Sequence, residues 1–379
     1  MRLLWAVVVA SLAACIRTGF DSTPAYDHVW VVNLGEDRQA GPADLPNPNQ
    51  VPDQSRSLSL REALLLASAS AGSDQIVFDD AAFTASSGTT LHLREPLPAL
   101  RDRAITIEND GPAIILDGAG LASGCASIIA NDAVIRGLTF QDCGDPALLV
   151  DGAQGALIAG NRFSGTRGVS LRLVGSVDVA VQDNLFDRGS GDLISAEDAT
   201  ALRIERNLLT LSDKESNRGI YLTRVSGSLI ADNFLDPGSA WMIGLDSSSD
   251  NRIERNLIDG AHSGIVLVGD SDRNFIFRNI VVNVVYDGIY LEGGANQNTV
   301  VHNTVSHYSS LVADDAADNV VKNNLGADDG FVDPARYDFR LVEGNPAIDT
   351  GEDLGYDLLP AAPENFLGAA PDLGAVESG

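Results

Sequence analysis

The sequence predicts an all-β protein, a parallel β-helix solenoid with coils of about 23 residues, a short N-terminal capping helix and an irregular C-terminal cap. Three observations carry that reading. A phrase Ile/Val-x-x-Asn returns at Asn161, Asn184, Asn207, Asn233, Asn256, Asn279, Asn303 and Asn324, at intervals of 23, 23, 26, 23, 23, 24 and 21 residues. An aliphatic or aromatic residue follows each of the first seven by two positions, from Phe163 and Phe186 to Val305. A second strand signal, Gly-Ile-x-Leu, recurs between them at Gly219–Leu222, Gly264–Leu267 and Gly288–Leu291, with Ile243-Gly-Leu245 as a relative. Coils of this size stack their strands about 4.8 Å apart, so equivalent aliphatic positions form columns inside the tube. The Asn column is expected at a turn, in the left-handed conformation, with its amides bonded to the next coil. From Asn251 a second Asn column runs through Asn274, Asn298 and Asn319.

In chain order, Arg2 followed by the mostly apolar Leu3–Leu12 reads as an export signal, too short to span a bilayer. Leu12-Ala-Ala-Cys15 resembles a bacterial lipobox, which implies a signal peptide over 1–14, a lipid on Cys15 and a tether over 15–27. Residues 28–103 are expected to form the N-terminal cap region, opening on a strand at Val29–Val32. Its helix, 59–70, has Leu60, Ala63, Leu64 and Ala67 at helical spacing. Ser59 and Glu62 stand at capping-box spacing, and Gly72 is placed to end the helix. The repeats occupy 104–326. Residues 327–379 break the period and are rich in Pro, Gly and Asp, as expected of the C-terminal cap. Open tube ends expose unpaired backbone, so both ends need covering. Cys125 and Cys143 are an even pair in an exported chain; a disulfide and two adjacent thiols are both compatible with their spacing.

Composition limits the partners. The chain of 379 residues carries 53 acidic against 25 basic residues, a net charge of −28. Phosphate binding needs clustered Lys and Arg, so nucleic acid is excluded as a partner. A polyanionic glycan needs bound cations or a local basic patch. The expected partners are a glycan or other cell-surface component, and the membrane through the N-terminal lipid, with the protein a monomer.

Three segments resemble known patterns. Leu58-Ser-Leu-Arg-Glu-Ala63 resembles the Cys-Ser-Leu-Arg-Glu-Ala signature of secreted bacterial β-helix proteins, with Leu58 in place of its cysteine. Asn251-Arg-Ile-Glu-Arg-Asn256 and Asn274-Phe-Ile-Phe-Arg-Asn279 are similar to right-handed β-helix repeats of the pectin-lyase-like superfamily. Asn345-Pro-Ala-Ile-Asp-Thr-Gly351 with Pro371-Asp-Leu-Gly-Ala-Val-Glu377 resembles the C-terminal module called choice-of-anchor Q. The resemblance implies a right-handed tube on a lipid-anchored surface protein, with any ligand lying along one sheet.

The Gly-Ile-x-Leu strands are the expected ligand sheet. Alternation turns Tyr221, Asp246, Tyr290 and Glu292 outward, with Trp241, His262 and Asp287 nearby. Aromatic faces pack on sugar rings and carboxylates accept from hydroxyls, so Tyr221, Trp241, Asp246, Tyr290 and Glu292 are the candidate ligand residues. The 26-residue interval adds a loop, Ser212–Asn217, beside Arg218. The preferred reading is binding without catalysis, with no cofactor and no metal. The alternative is an enzyme with Lys214, Arg218, Asp246 and Glu292 as catalytic candidates. A lyase would use Lys214, Arg218 and Arg224 against a uronate carboxylate, with calcium as a possible cofactor held by Glu215 or Asp246. An inverting hydrolase would use Asp246 and Glu292, two coils and roughly 9.6 Å apart by strand spacing. Asp314-Asp315 lacks the Gly-His-Gly that accompanies such a pair in polygalacturonases, and the Asp-Pro-His of alginate epimerases is missing.

Overall fold

The computed structural model describes residues 26–38, 45, 57–84, 89–101, 104–210, 217–238, 240–306, 308–326, 330–333, 336–355 and 369–374. The export signal, Cys15, Lys214, Glu215 and His307 lie outside the described residues.

From Ala126 onward each coil contributes one strand to each of three parallel sheets, and the coils before it contribute to the first two only. Sheet A has 12 strands, from His28–Val32 to Val320–Lys322; sheet B has 11, from Thr89–His92 to Leu325–Gly326; sheet C has 9, from Ala126–Ile128 to Ser310–Asp314. The tube has three walls, although the repeat phrase reads as a single strand. The structure divides that phrase at its Asn: Leu157–Ala159 belongs to sheet A and Arg162–Ser164 to sheet B, with Asn161 at the corner.

Register follows the columns. Ile158, Val181, Ile204, Ile230, Ile253, Ile276 and Val300 pair coil to coil and are fully buried. Inside sheet B the rings of Phe140, Phe163 and Phe186 stack at 4.9 and 4.7 Å between centroids, nearly parallel. Such ring pairs add about 0.5–1.5 kcal/mol beyond their burial.

The corner Asn side chains tie three coils together. The Oδ1 of Asn184 accepts from the backbone N–H of Asn161 at 2.9 Å, while its Nδ2 donates to the carbonyl of Ile158 at 2.9 Å and to Asn207 Oδ1 at 3.0 Å. The same pattern repeats at Asn207, Asn233, Asn256 and Asn279. These polar groups are buried and bonded, which removes the penalty that burial imposes on an orphan amide. One expectation is corrected: the left-handed residue is not the Asn but the one before it. Asp183, Arg206, Asp232, Arg255, Arg278 and His302 hold φ between 54° and 57°. Short polar side chains bond locally in that conformation, and here consecutive coils pair Asp with Arg across it. Asp183 with Arg206 and Asp232 with Arg255 form two-bond pairs, as do Asp250 with Arg273 and Asp198 with Arg224 at the other turns.

At the N-terminal end, helix α1 (Leu60–Ala67) begins on a Ser59–Glu62 capping box and packs on the first strands of sheet A. It ends at Ser68, before Gly72, whose φ of 110° serves the following turn. Glu62 also binds Arg38, and Arg61 makes a buried two-bond pair with Asp37 while donating to the Glu95 and Pro96 carbonyls. The resemblance motif thus closes the first coil. Cys125 and Cys143 are disulfide-bonded, with Cα atoms 5.6 Å apart.

At the other end the described C-terminal residues lie along the side of the tube. The antiparallel pair Phe331–Asp333 and Asp338–Leu341 packs Phe331, Phe339 and Leu341 on Val282, Leu257 and Ile280 of sheet B's outer face. Val321, last of the aliphatic column, is 39% exposed.

Candidate functional site

Sheet C presents the outer face on which the candidate residues fall. Its inward Ile and Leu are fully buried, for example Ile220, Leu222, Ile243 and Leu245, so alternation leaves Tyr221 and Asp246 outside. The glycine of Gly-Ile-x-Leu is a packing requirement. A Cβ on Gly219 would lie 2.6 Å from Leu235 Cδ2 and 2.7 Å from the Met242 carbonyl.

Arg218, Tyr221, Trp241 and Asp246 come together, joined by a residue the sequence reading missed, Asp192. Arg218 donates to both Asp192 oxygens at 3.0 and 2.7 Å, and the Arg218 backbone N–H adds a third bond at 3.1 Å. Burial pulls the guanidinium pKa down, while the hydrogen bonds and charge of Asp192, with Tyr221, outweigh it and hold the pKa above its ordinary value. The cation lies 3.3 Å from the centroid of the Tyr221 ring. That ring leans over the next coil, where a Cβ on Gly244 would meet Tyr221 Cδ2 at 2.8 Å and Trp241 Cε3 at 3.3 Å. Tyr221 donates to Asp246 Oδ2 at 3.2 Å, and its phenol is pushed up first by burial, against Arg218 and with Asp246. One face of Tyr221 is therefore covered by Arg218. The half-buried Trp241 and the exposed Tyr286, which contacts the exposed His262 edge-on at 5.6 Å, are the rings with surface to offer. Tyr286 is another omission; it precedes Asp287 at the sheet edge, outside the alternation that exposed Tyr221.

The far end of the face is acidic. Tyr290 donates to Asp315 Oδ2 at 3.2 Å, and Glu292 accepts from the Gly269 N–H at 3.2 Å. Asp287 is pushed up by burial and then by Asp315, the behaviour of a carboxyl group held beside another. Glu292 lies outside the Arg218 cluster. Asp246 and Glu292 stand two strands apart, with Val268 between them in the column.

Among the described residues of this face Arg224 is fully engaged and Arg172 makes a looser 3.5 Å pair with Asp145. Arg224 bonds Asp198 at 2.7 and 3.1 Å and Glu197 at 2.5 Å. An open notch of about 450 Å³ at the turn from sheet C to sheet A, lined by Asp178, Arg203, Asp250 and Arg252, is likewise internally paired: Arg203 with Asp178, Arg252 with Glu254, Asp250 with Arg273.

Fold and face together define a parallel β-helix of the right-handed type with aromatic and acidic side chains along the outer face of one wall. The chain belongs to the NosD family, described as periplasmic copper-binding protein, which it matches over residues 84–284 and 238–331. That description points to export, and no described helix is long and apolar enough to cross a membrane. The fold resembles pectate lyase Pel9A, with a TM-score of 0.52 at 10% identity over 94% of this chain and 97% of that one. Lesser similarity links it to the periplasmic alginate epimerase AlgG, with a TM-score of 0.48 at 12% identity over 67% and 69%. The surface adhesin PfbA of Streptococcus pneumoniae scores 0.40 at 13% identity over 63% and 77%. No curated protein sequence matches the chain.

Copper does not fit the described side chains. Copper sites use imidazole, thiolate and thioether ligands. Here Cys125 and Cys143 are bonded to each other and Met242 is buried in the core. His28 and His92 face Asp74 and Asp117 on separate strands, and no group of three His, Cys, Asp or Glu able to hold a metal occurs among the described residues.

Proposed function

We propose that this protein is an exported, lipid-anchored β-helix that binds a neutral glycan along the outer face of sheet C without catalysis. The observation that supports it most is the closed Asp192–Arg218–Tyr221 stack beside Trp241. A lyase needs unpaired cations at the uronate carboxylate, and the Arg218 and Arg224 guanidinium groups are both engaged by carboxylates. What remains on the face is aromatic surface at Trp241 and Tyr286 and hydroxyl acceptors at Asp246 and Glu292, which suits uncharged sugar rings. The strong negative charge of the chain opposes polyuronates further, unless calcium intervenes. Anchoring rests on the lipobox-like Cys15, and the periplasmic family description supports export.

A second reading, glycoside hydrolysis, is favoured by one observation, the raised Asp287 beside Asp315, since a general acid needs such a carboxyl. A glycan array with and without calcium, paired with product release from neutral and uronate polymers, separates these readings. Binding of neutral oligosaccharides without product is expected. Unsaturated products abolished by Arg218→Ala would overturn the binding-only reading, as would hydrolysis lost in Asp287→Asn.

A further inference from the structure

We propose that His302 is a pH-sensitive latch that holds the C-terminal segment to the last coils of the tube. In its turn column His302 follows Asp183, Arg206, Asp232, Arg255 and Arg278, with the same left-handed backbone, yet it is 1% exposed. What covers it is the segment Gly351–Leu354 with Pro371–Gly374. The backbone N–H of Gly374 donates to the Asn323 carbonyl at 3.0 Å, and Gly351 N–H donates to the Pro371 carbonyl at 2.7 Å. The fit is close: a Cβ on Gly374 would lie 2.5 Å from Thr304 Oγ1 and 2.9 Å from Leu325 Cβ.

Asn323 connects the ring to this segment. Its Nδ2 donates to the Glu352 carbonyl at 2.7 Å and its Oδ1 accepts the Glu352 N–H at 3.2 Å, so the Glu352 backbone sets which way the amide points. The same Nδ2 faces His302 Nε2 at 3.1 Å. Nε2 is thereby an acceptor, and the ring is neutral with its proton on Nδ1. Nδ1 is sealed from solvent, with backbone groups of Asp372 and Gly374 near the ring but no well-aligned hydrogen bond to it, and the ring meets Phe277 edge-on at 6.1 Å. A second proton would place a donor on Nε2 against the Asn323 donor and a charge in a site sealed from water.

The surrounding charges do not rescue that cation. Arg278 on the preceding coil opposes it, Asp372 Oδ1 is occupied by the Asp349 N–H, and Glu352 pairs with Lys322 at 2.9 Å. Burial, the largest influence, lowers the His302 pKa, while backbone groups of Asp372 and Gly374 pull the other way. The docked ring therefore binds its proton less readily than a free one. Docking is fully favoured above the ordinary value near 6.5 and weakens as pH falls from there toward the docked value.

The test is hydrogen exchange of the full chain at about pH 7.5 and about pH 5, corrected for intrinsic rates, read at 351–355 and 369–374. Protection there should fall about tenfold per unit by which the docked pKa lies below the free one, while the coils around Phe163 stay unchanged. His302→Gln keeps an acceptor but cannot charge, and Gln297 already occupies an equivalent turn at φ 58°; this variant should lose the pH dependence. Equal protection at both pH values, or the same loss in His302→Gln, overturns the latch. Should that variant fail to dock, the wild-type His302 resonance titrated by NMR decides: a midpoint below the ordinary value supports the proposal, and one at or above it overturns it.

Discussion

The Asn corner and the outer face of sheet C are built from the same coils and behave oppositely. At the corner each coil repeats its predecessor: Asn207 bonds Asn233 as Asn184 bonds Asn207. On sheet C the column through Tyr221 reads Arg172, Ser195, Tyr221, Gly244, Val266 and Tyr290, with no two neighbours alike. Repetition at the corner is what stacking demands, since an amide ladder needs the same group in successive coils. Variation on the face is free of that demand, and the proposed ligand would use it. The repeat therefore marks the frame, and the departures from it are where the proposed site is sought.

Substitutions in the two regions should separate stability from binding. The largest effect is expected at Phe163→Ala, which removes the middle ring of the buried stack and should cost about 3–5 kcal/mol in denaturant unfolding. Asn207→Ala comes next, with a loss of about 2–3 kcal/mol, because it orphans the Asn184 N–H and breaks the ladder. In neither should glycan affinity change at temperatures where the tube stays folded. Trp241→Ala inverts that pattern, with affinity down about tenfold, the worth of one aromatic contact of about 1.4 kcal/mol, and a much smaller change in melting. Smallest is Arg273→Gln, whose exposed pair with Asp250 should leave both the melting temperature and binding unmoved. A Trp241→Ala protein that unfolds readily yet binds normally would dissolve the contrast between frame and face.

The parts of this account readable in the sequence were the local and the periodic ones. Ser59 and Glu62 are three residues apart, so their capping box needs no knowledge of the tube. The interior column from Ile158 to Val300 follows from spacing alone. Sheet B stayed hidden because around Asn161 its strand is three residues long and separated from that of sheet A by only two, so the corner reads as one strand. Asp192 stayed hidden because it meets Arg218 across the over-long coil, 26 residues away, where no fixed period applies. The stacking of Arg218 on Tyr221 depends on Gly244 one coil later, and a side chain's lean is not encoded in alternation.

The central claim is that the ligand lies on sheet C and is uncharged. Its most direct test is hydrogen exchange across the whole chain with and without a saturating neutral oligosaccharide chosen from the array. Protection confined to Trp241–Asp246, Ser263–Val268 and Asp287–Leu291 is predicted, with none gained at the Asn corner. Protection at the corner or at the notch near Arg203 and Arg252, or binding restricted to uronate polymers in calcium, would contradict it.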